Sequence, residues 1–241
     1  MSETPKYKRI LLKLSGEALC APGGVGIDAA AMAALAKEIR GVTSLGVQLA
    51  VVVGGGNFLR GRDLAYNPRV RRTSADYMGM LATIMNALAL RDSLQASGVT
   101  ATVLSAIADP RICEPFSCRR ADELLEAGQT LILAGGTGSP FFTTDTCAAL
   151  RASEIGAEVV LKATTVDGVY DSDPKRNPAA TKYDRLTYSK VLADKLGVMD
   201  LTAISLCMES RLPIMVFAMA KPGNLAAAVC GQNVGTMIAS E

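Results

Sequence analysis

The sequence predicts an α/β fold, a mostly parallel sheet covered on both faces by helices. Three observations point there. Short aliphatic runs such as Val47–Val53 carry no polar alternation, as strands buried on both faces do. They alternate along the chain with stretches of helical apolar spacing, the order that builds crossover units. Glycine-rich or hydroxyl-rich segments follow several of the aliphatic runs, where ligands bind in open α/β sheets.

Taken in order, Ile10–Leu14 reads as a strand interrupted by Lys13 and ending in Ser15-Gly16-Glu17. Asp28 is a plausible helix cap, Met32, Leu35, Ala36 and Ile39 follow helical spacing, and Gly41 suits the stop. After the strand Val47–Val53, Thr73 or Ser74 can cap a long helix with Met78, Leu81, Ala82, Met85, Leu88 and Ala89 facing inward. Val99–Leu104 and Thr130–Ala134 are strand-like and flank a helix over Arg119–Ala127. A helix starts near Asp145, and Val159–Lys162 is a further strand. Val166–Tyr188 is polar, holds two prolines and reads as a long functional loop. Two short helices, the strand Ile214–Phe217 and a strand near Thr236–Ile238 complete the chain. The 241 residues lack repeats and linkers, so the expectation is one domain with two lobes.

Composition narrows the chemistry. At 49% hydrophobic and 20% charged residues, the chain has enough apolar material to fold as a globule. A net charge of +2 gives no reason to expect a nucleic-acid partner. Histidine is absent, which removes His-based triads, His proton shuttles and zinc–imidazole sites together. Six cysteines, with no C-x-x-C pair, read as reduced and mostly buried. MSETPKYKR leads straight into the first strand without a signal-peptide core, and no apolar run is long enough to cross a bilayer, so the expected compartment is the cytoplasm, away from any membrane.

Four segments fall at strand ends: Lys13–Gly16, Gly54–Arg60, Gly135–Thr144 and Lys162–Asp173. Lysine inside an apolar strand must lead its charge out of the core or into a cleft. Lys13 alone is as consistent with an edge strand as with a phosphate site, but Lys162 repeats the pattern and favours a phosphate clamp. Gly54-Gly55-Gly56 can expose backbone N–H groups to an anion. In Gly135–Asp145 the glycines and hydroxyls supply donors and run into a helix N-terminus, although Thr144 or Asp145 could serve simply as a cap. The acidic segment around Asp167-Gly168 lacks the EF-hand spacing, and turn chemistry alone explains it. Neither G-x-x-x-x-G-K-[ST] nor a well-placed G-x-G-x-x-G occurs, so a nucleotide enzyme here is of another build.

In order along the chain stand Lys-Leu-Ser-Gly at 13–16, Gly-Gly-Gly-Asn at 54–57 with Arg60 following, and Ala-Asp-Tyr-Met-Gly-Met around Asp76. Gly-Thr-Gly-Ser-Pro-Phe-Phe-Thr-Thr-Asp follows at 136–145, then Lys-Ala-Thr-Thr-Val-Asp-Gly-Val-Tyr at 162–170 with Asp173-Pro174. This pattern resembles the UMP kinase branch of the amino acid kinase family from about Lys8 to Ile238. The resemblance implies an α/β/α sandwich, transfer of the γ-phosphoryl of ATP to UMP, Mg2+ carried with ATP rather than by a protein metal site, and a homohexamer. It places Lys13, Leu14, Ser15, Gly16, Gly56, Arg60, Thr164, Tyr170 and Asp173 on ATP. It places Gly55, Asp76, Thr137, Gly138, Ser139, Pro140, Phe141, Phe142, Thr143 and Thr144 on UMP. The acceptor half would span about 8–150 and the ATP half about 151–241. Lys13 and Lys162 would stabilise the transferring phosphoryl, with Asp145 and Asp200 as candidates to orient them, an ordinary helix cap being the other reading of Asp200.

The resemblance also implies UTP as an inhibitor and GTP as an effector. Arg91 is kept from the family's effector site, whereas other basic positions of that site appear here as Gln95, Thr102 and Gln129. Neutral groups recover only part of the energy of charge-assisted contacts, so GTP activation is expected to be weak. Competing readings are a sister kinase with a carboxylate, carbamate or isoprenoid phosphate acceptor, a metal-oxide storage relative, and a nucleotide-binding regulator without catalysis. The best-matching segments, around Asp76 and Thr137–Thr144, argue against the first. The missing histidines argue against the second, and Lys13 and Lys162 against the third.

Overall fold

Aliphatic runs without alternation form the middle of the sheet, because only there are both faces covered. The computed structural model describes residues 4–59, 69–107, 109–174 and 176–240. The chain runs β1 (Arg9–Leu14), α1 (Ala29–Thr43), β2 (Gln48–Val53), α2 (Arg72–Ala96), β3 (Ala101–Ser105), β4 (Glu114–Pro115), α3 (Cys118–Glu126), β5 (Thr130–Ala134), α4 (Thr144–Glu154), β6 (Val159–Thr164), β7 (Val169–Tyr170), β8 (Lys182–Tyr183), β9 (Arg185–Thr187), α5 (Tyr188–Ala193), α6 (Leu201–Glu209), β10 (Ile214–Ala218), α7 (Asn224–Val229) and β11 (Gly235–Ala239). The main sheet has the order β4-β3-β5-β2-β1-β6-β10-β11-β9, and β7 with β8 forms a separate ribbon. Pairings within the main sheet are parallel except β10 with β11.

Two apolar layers cover the sheet. Ile10, Leu12 and Leu14 of β1 pack toward α1, α2 and α7, while Leu11 packs toward α3, α4, α5 and α6. The same alternation in β6 sends Val159, Leu161 and Ala163 one way and Val160 the other. Strand period two therefore points Lys13 and Lys162 to the α4 side. Their Cα positions are partners in the β1–β6 register. The chain leaves β1 to place β2 on one side and β6 on the other, which opens a crevice at the carboxyl ends of these strands.

Several boundaries differ from the sequence expectation. Helix α1 continues through Gly41 to Thr43 and is capped at its start by Asp28, whose carboxylate accepts from Ala31 N–H at 2.8 Å. Neither Thr73 nor Ser74 caps α2; both lie inside it, and Arg71 occupies the cap position without a side-chain bond. The buried face of α2 matches the expectation in part: Ala82 is buried and Leu88 and Ala89 pack partly buried on the core, but Met80, Ala87, Leu90 and Leu94 complete that face, whereas Met78, Leu81 and Met85 are exposed. Two apolar stripes compete on this helix, and spacing alone does not say which one meets the sheet. The polar stretch 166–188 holds three short strands and the start of α5, and a third short helix, α7, follows β10. Among the described residues no helix is long and apolar enough to cross a membrane. Cys20, Cys113, Cys147 and Cys207 are buried and Cys118 is exposed.

The face that α2 buries yields a test. Leu90 is fully buried and Leu81 is 52% exposed. Leu90→Ala should cost about 3 kcal/mol, the loss of a packed side chain plus its cavity, and Leu81→Ala less than about 1 kcal/mol. Denaturant unfolding of the two variants checks this; equal costs would mean that α2 packs on the other stripe.

Candidate active site

Burying two ammonium groups side by side is costly, and the site meets that cost with one carboxylate. Asp145 stands in the first turn of α4, whose cap Thr143 accepts from the N–H groups of Asp145 and Thr146 at 3.0 and 3.1 Å. That cap directs the Asp145 carboxylate between the lysines: Oδ1 lies 2.7 Å from Lys13 Nζ and Oδ2 lies 2.7 Å from Lys162 Nζ. Lys162 also donates to the Val198 carbonyl. The Lys13 approach misses hydrogen-bond angles, so Oδ1 has an ion-pair neighbour but no hydrogen-bond donor. Side-chain exposures of 10%, 12% and 15% for Lys13, Lys162 and Asp145 place the triad below the surface, where screening is weak.

Burial by itself would raise the Asp145 pKa, but the charges of Lys13 and Lys162 together outweigh it and hold the carboxyl below its ordinary value. Burial is the largest influence on Lys162 and lowers its pKa; Asp145 opposes this, and Lys13 adds to it. The triad carries a net charge of +1 when all three groups are ionised. An ammonium has three donors, and two of Lys162's are spent on Asp145 and Val198, leaving one for an anion.

The glycine loop after β2 is packed against this triad's strands. A Cβ on Gly16 would stand 2.6 Å from Asn57 Oδ1 and 2.7 Å from Gly56 N, and one on Gly55 would stand 2.7 Å from the Gly79 carbonyl. Only glycine allows such approach. The N–H groups of Gly55 and Gly56 have no acceptor among the described residues. Together with the N-terminus of α4 and the two lysines, they form a cradle for negative charge. Leu14 is fully buried, so only its backbone can serve a ligand, and its carbonyl already accepts from Gly54 N–H.

A cavity of about 290 Å³ opens beside this cradle. Gly55, Gly56, Asp76, Thr137, Phe142, Thr143 and Thr144 of the predicted residues line it. Gly138, Ser139, Pro140 and Phe141 form the turn outside the lining, in which the Thr137 hydroxyl accepts from Ser139 N–H at 3.2 Å. Phe141 has φ of 73°, an unfavourable region for a bulky residue, and its N–H is fixed by a 2.8 Å bond to Asp76 Oδ2. Arg72, which sequence reasoning missed, binds the same carboxylate at 2.8 and 3.0 Å and lines the cavity. Its spacing of four from Asp76 on one helix was the available signal. Thr83, also missed, accepts from Gly135 N–H at 2.9 Å and ties the loop after β5 to α2.

Other predicted residues lie around this centre. Asp200 caps α6 by accepting from Ala203 N–H at 3.0 Å, and receives the hydroxyls of Thr143 and Thr146. It forms no ion pair with either lysine; its negative charge reaches Lys162 through space as a weaker influence. Ser15 and Thr164 line a second cavity of about 530 Å³, mostly apolar. Tyr170 donates to Asp167 at 2.6 Å on the β7 ribbon, and Asp173 pairs loosely with Arg176 at 3.6 Å. Arg60 lies outside the described residues.

The geometry defines an α/β protein with a positively charged cradle at the carboxyl ends of its parallel strands. Residues 8–218 match the model of the amino acid kinase family, and the chain belongs to that family. It is 52% identical over 233 residues to the chloroplastic uridylate kinase PUMPKIN of Arabidopsis thaliana, covering 97% of this chain and 69% of that one. A solved UMP kinase from Bacillus anthracis superposes with a TM-score of 0.94 at 38% identity, covering 98% of this chain and 97% of its own. The UMP kinase from Ureaplasma parvum gives 0.91 at 37%, covering 98% and 100%.

Replacing the shared carboxylate tests the electrostatics. Asp145→Asn leaves two buried ammonium groups uncompensated and should lower stability at neutral pH by roughly 3 kcal/mol. Because the folded pKa of Asp145 is depressed, its stabilisation is present at neutral pH and is lost as pH falls through that value. The gap between wild type and variant should therefore shrink in acid, as read by denaturant melts across pH. A gap independent of pH would remove Asp145 from the ionised triad.

Proposed function

We propose that the protein transfers the γ-phosphoryl group of ATP to UMP, giving ADP and UDP. The observation that carries this reading is the buried Lys13–Asp145–Lys162 triad, with Asp145 following directly on Thr143 and Thr144, which line a cavity together with Asp76 and the glycine loop. Phosphoryl transfer between phosphates needs positioning and charge neutralisation rather than a strong base, which suits a chain without histidine. The lysines meet charge on the transferring group, the Gly55 and Gly56 N–H groups hold phosphate oxygens, and Asp145 keeps both ammonium groups aimed at one point. Asp200 acts at one remove, through Thr143 and the start of α4.

Mg2+ would arrive on the triphosphate and neutralise part of its charge. Its ligands in this reading are chiefly phosphate oxygens, as a hard cation of this kind prefers. In this reading the acceptor nucleotide uses residues of the half up to about 150. ATP uses Lys13–Gly16, Gly56, Thr164, Tyr170 and Asp173, with Arg60 added from the sequence pattern. The cavity beside Ser15 and Thr164 supports a bulky donor next to the cradle.

UTP would compete with UMP, since it offers the same base and sugar. Weak GTP activation is supported by Thr102 and Gln129, which bond each other at 2.6 Å, and by Arg91, which is paired with Asp92. A homo-oligomer, in the family a hexamer, is supported by the exposed row Tyr77, Met78, Leu81 and Met85 along α2. A cytoplasmic location is part of the same proposal.

A coupled assay with ATP and a panel of acceptors tests the reading. UMP should exceed CMP and AMP in kcat/KM by at least about a hundredfold, because fixed polar groups reject a base that leaves them unpaired. Comparable values for CMP and UMP would contradict the acceptor assignment. Turnover of a carboxylate or carbamate alone would favour a sister kinase, and no turnover at all a regulator.

A further inference from the structure

Deep behind the cradle lies a pair of side chains that neither nucleotide can touch. Asn86 of α2 is fully buried and Asn57, next to the triple glycine, is 2% exposed. Their amides bond each other reciprocally: Asn57 Nδ2 donates to Asn86 Oδ1 at 2.9 Å, and Asn86 Nδ2 donates to Asn57 Oδ1 at 2.7 Å. The second proton of each amide goes to backbone. Asn57 donates to the Gly26 carbonyl at 2.7 Å, and Asn86 to the Gly54 carbonyl at 2.7 Å. Those carbonyls fix which amide end is nitrogen, so all four donors and both oxygens are used. A buried network is retained at such a place only when every member is satisfied, and this one is.

What the network joins is the point. Gly54 begins the loop that offers the Gly55 and Gly56 amides. Gly26 ends the segment that follows Ser15 and Gly16, and Asn57 Oδ1 is the atom against which Gly16 is packed. Helix α2 carries Asp76, Met80 and Thr83 into the acceptor cavity. The pair thus ties the loop on the donor side, the loop between the two nucleotides and the helix on the acceptor side at one buried spot.

We propose that Asn57 and Asn86 are positioning residues that fix the separation of the two reacting phosphates. The inference rests on the phosphotransfer reading above. Each nucleotide keeps its own contacts when the pair is broken, so binding survives; what is lost is the relative placement of donor and acceptor, on which rates depend steeply.

The test is Asn86→Asp, which keeps the shape and removes both donors. The kcat for UMP should fall by about 30-fold while KM for ATP and for UMP each changes by less than about threefold. Lowering the pH should raise the activity of the variant relative to wild type, since a buried carboxyl takes up a proton readily and regains one donor for the Gly54 carbonyl. A purely structural role would lower the melting temperature and the folded fraction and leave the kcat per folded enzyme unchanged. If Asn86→Asp does not fold, Asn57→Ser, which leaves Asn86 on the Gly54 carbonyl, carries the same test of kcat against KM. A kcat within threefold of wild type, or a loss confined to the KM of one nucleotide, overturns the proposal. A wild type inactive on every acceptor overturns the phosphotransfer reading instead, and the two failures are read from different proteins.

Discussion

The structure depends on one arrangement: two lysines in register on neighbouring parallel strands, sharing one carboxylate. Parallel pairing of β1 with β6 sets Lys13 beside Lys162, and period two turns both to the α4 face. Like charges at such a distance in a poorly hydrated place repel, and Asp145 resolves the conflict by pairing with both at 2.7 Å. A buried carboxylate between two ammonium groups is not an economical way to stabilise a core, since well-packed apolar groups do as well. Its value lies in holding positive charge preorganised, so that little reorganisation is needed when phosphate arrives.

The loops around the triad are set by the same few contacts. Thr143 caps α4 and so aims Asp145, and its hydroxyl also donates to the carboxylate of Asp200, which caps α6. One hydroxyl therefore couples the starts of two helices to the charge cluster. Across the crevice, Asp76 accepts from Arg72 and from the N–H of Phe141, whose left-handed backbone would otherwise be unfavourable. Thr83 fixes Gly135, and Asn86 fixes Gly54. The crevice is thus lined by glycine backbone that is free to approach a ligand, while side chains behind it keep that backbone in place.

Much of this was legible in the sequence. The central strands could be read because unbroken aliphatic runs have few other uses, and Lys13 and Lys162 stood out because an ammonium in such a run needs a reason. The order of motifs pointed to the amino acid kinase family, and the family match together with UMP kinase structures supports the fold and activity it implied. The buried face of α2 was misread in part, since Met78, Leu81 and Met85 form as good an apolar stripe as the one that meets the sheet. Short strands such as Val169–Tyr170 and Lys182–Tyr183 carry no pattern longer than two residues. Thr83 and Asn86 were invisible as site residues because their importance comes from what they meet in space, 52 residues away in the case of Thr83 and Gly135, whereas Arg72 was overlooked although it stands four residues before Asp76. The helix-cap reading of Asp200 describes its contacts more directly than a lysine-orienting role does.

The central claim is that the paired ammonium groups act on the transferring phosphoryl rather than on ground-state binding. Rapid-quench measurement of a single turnover with Lys13→Met, alongside equilibrium binding of ATP and UMP, addresses it most directly. The account predicts a transfer rate lower by at least about two orders of magnitude, with each affinity changed by less than about threefold. A transfer rate close to wild type, in a variant that melts like wild type, would contradict it.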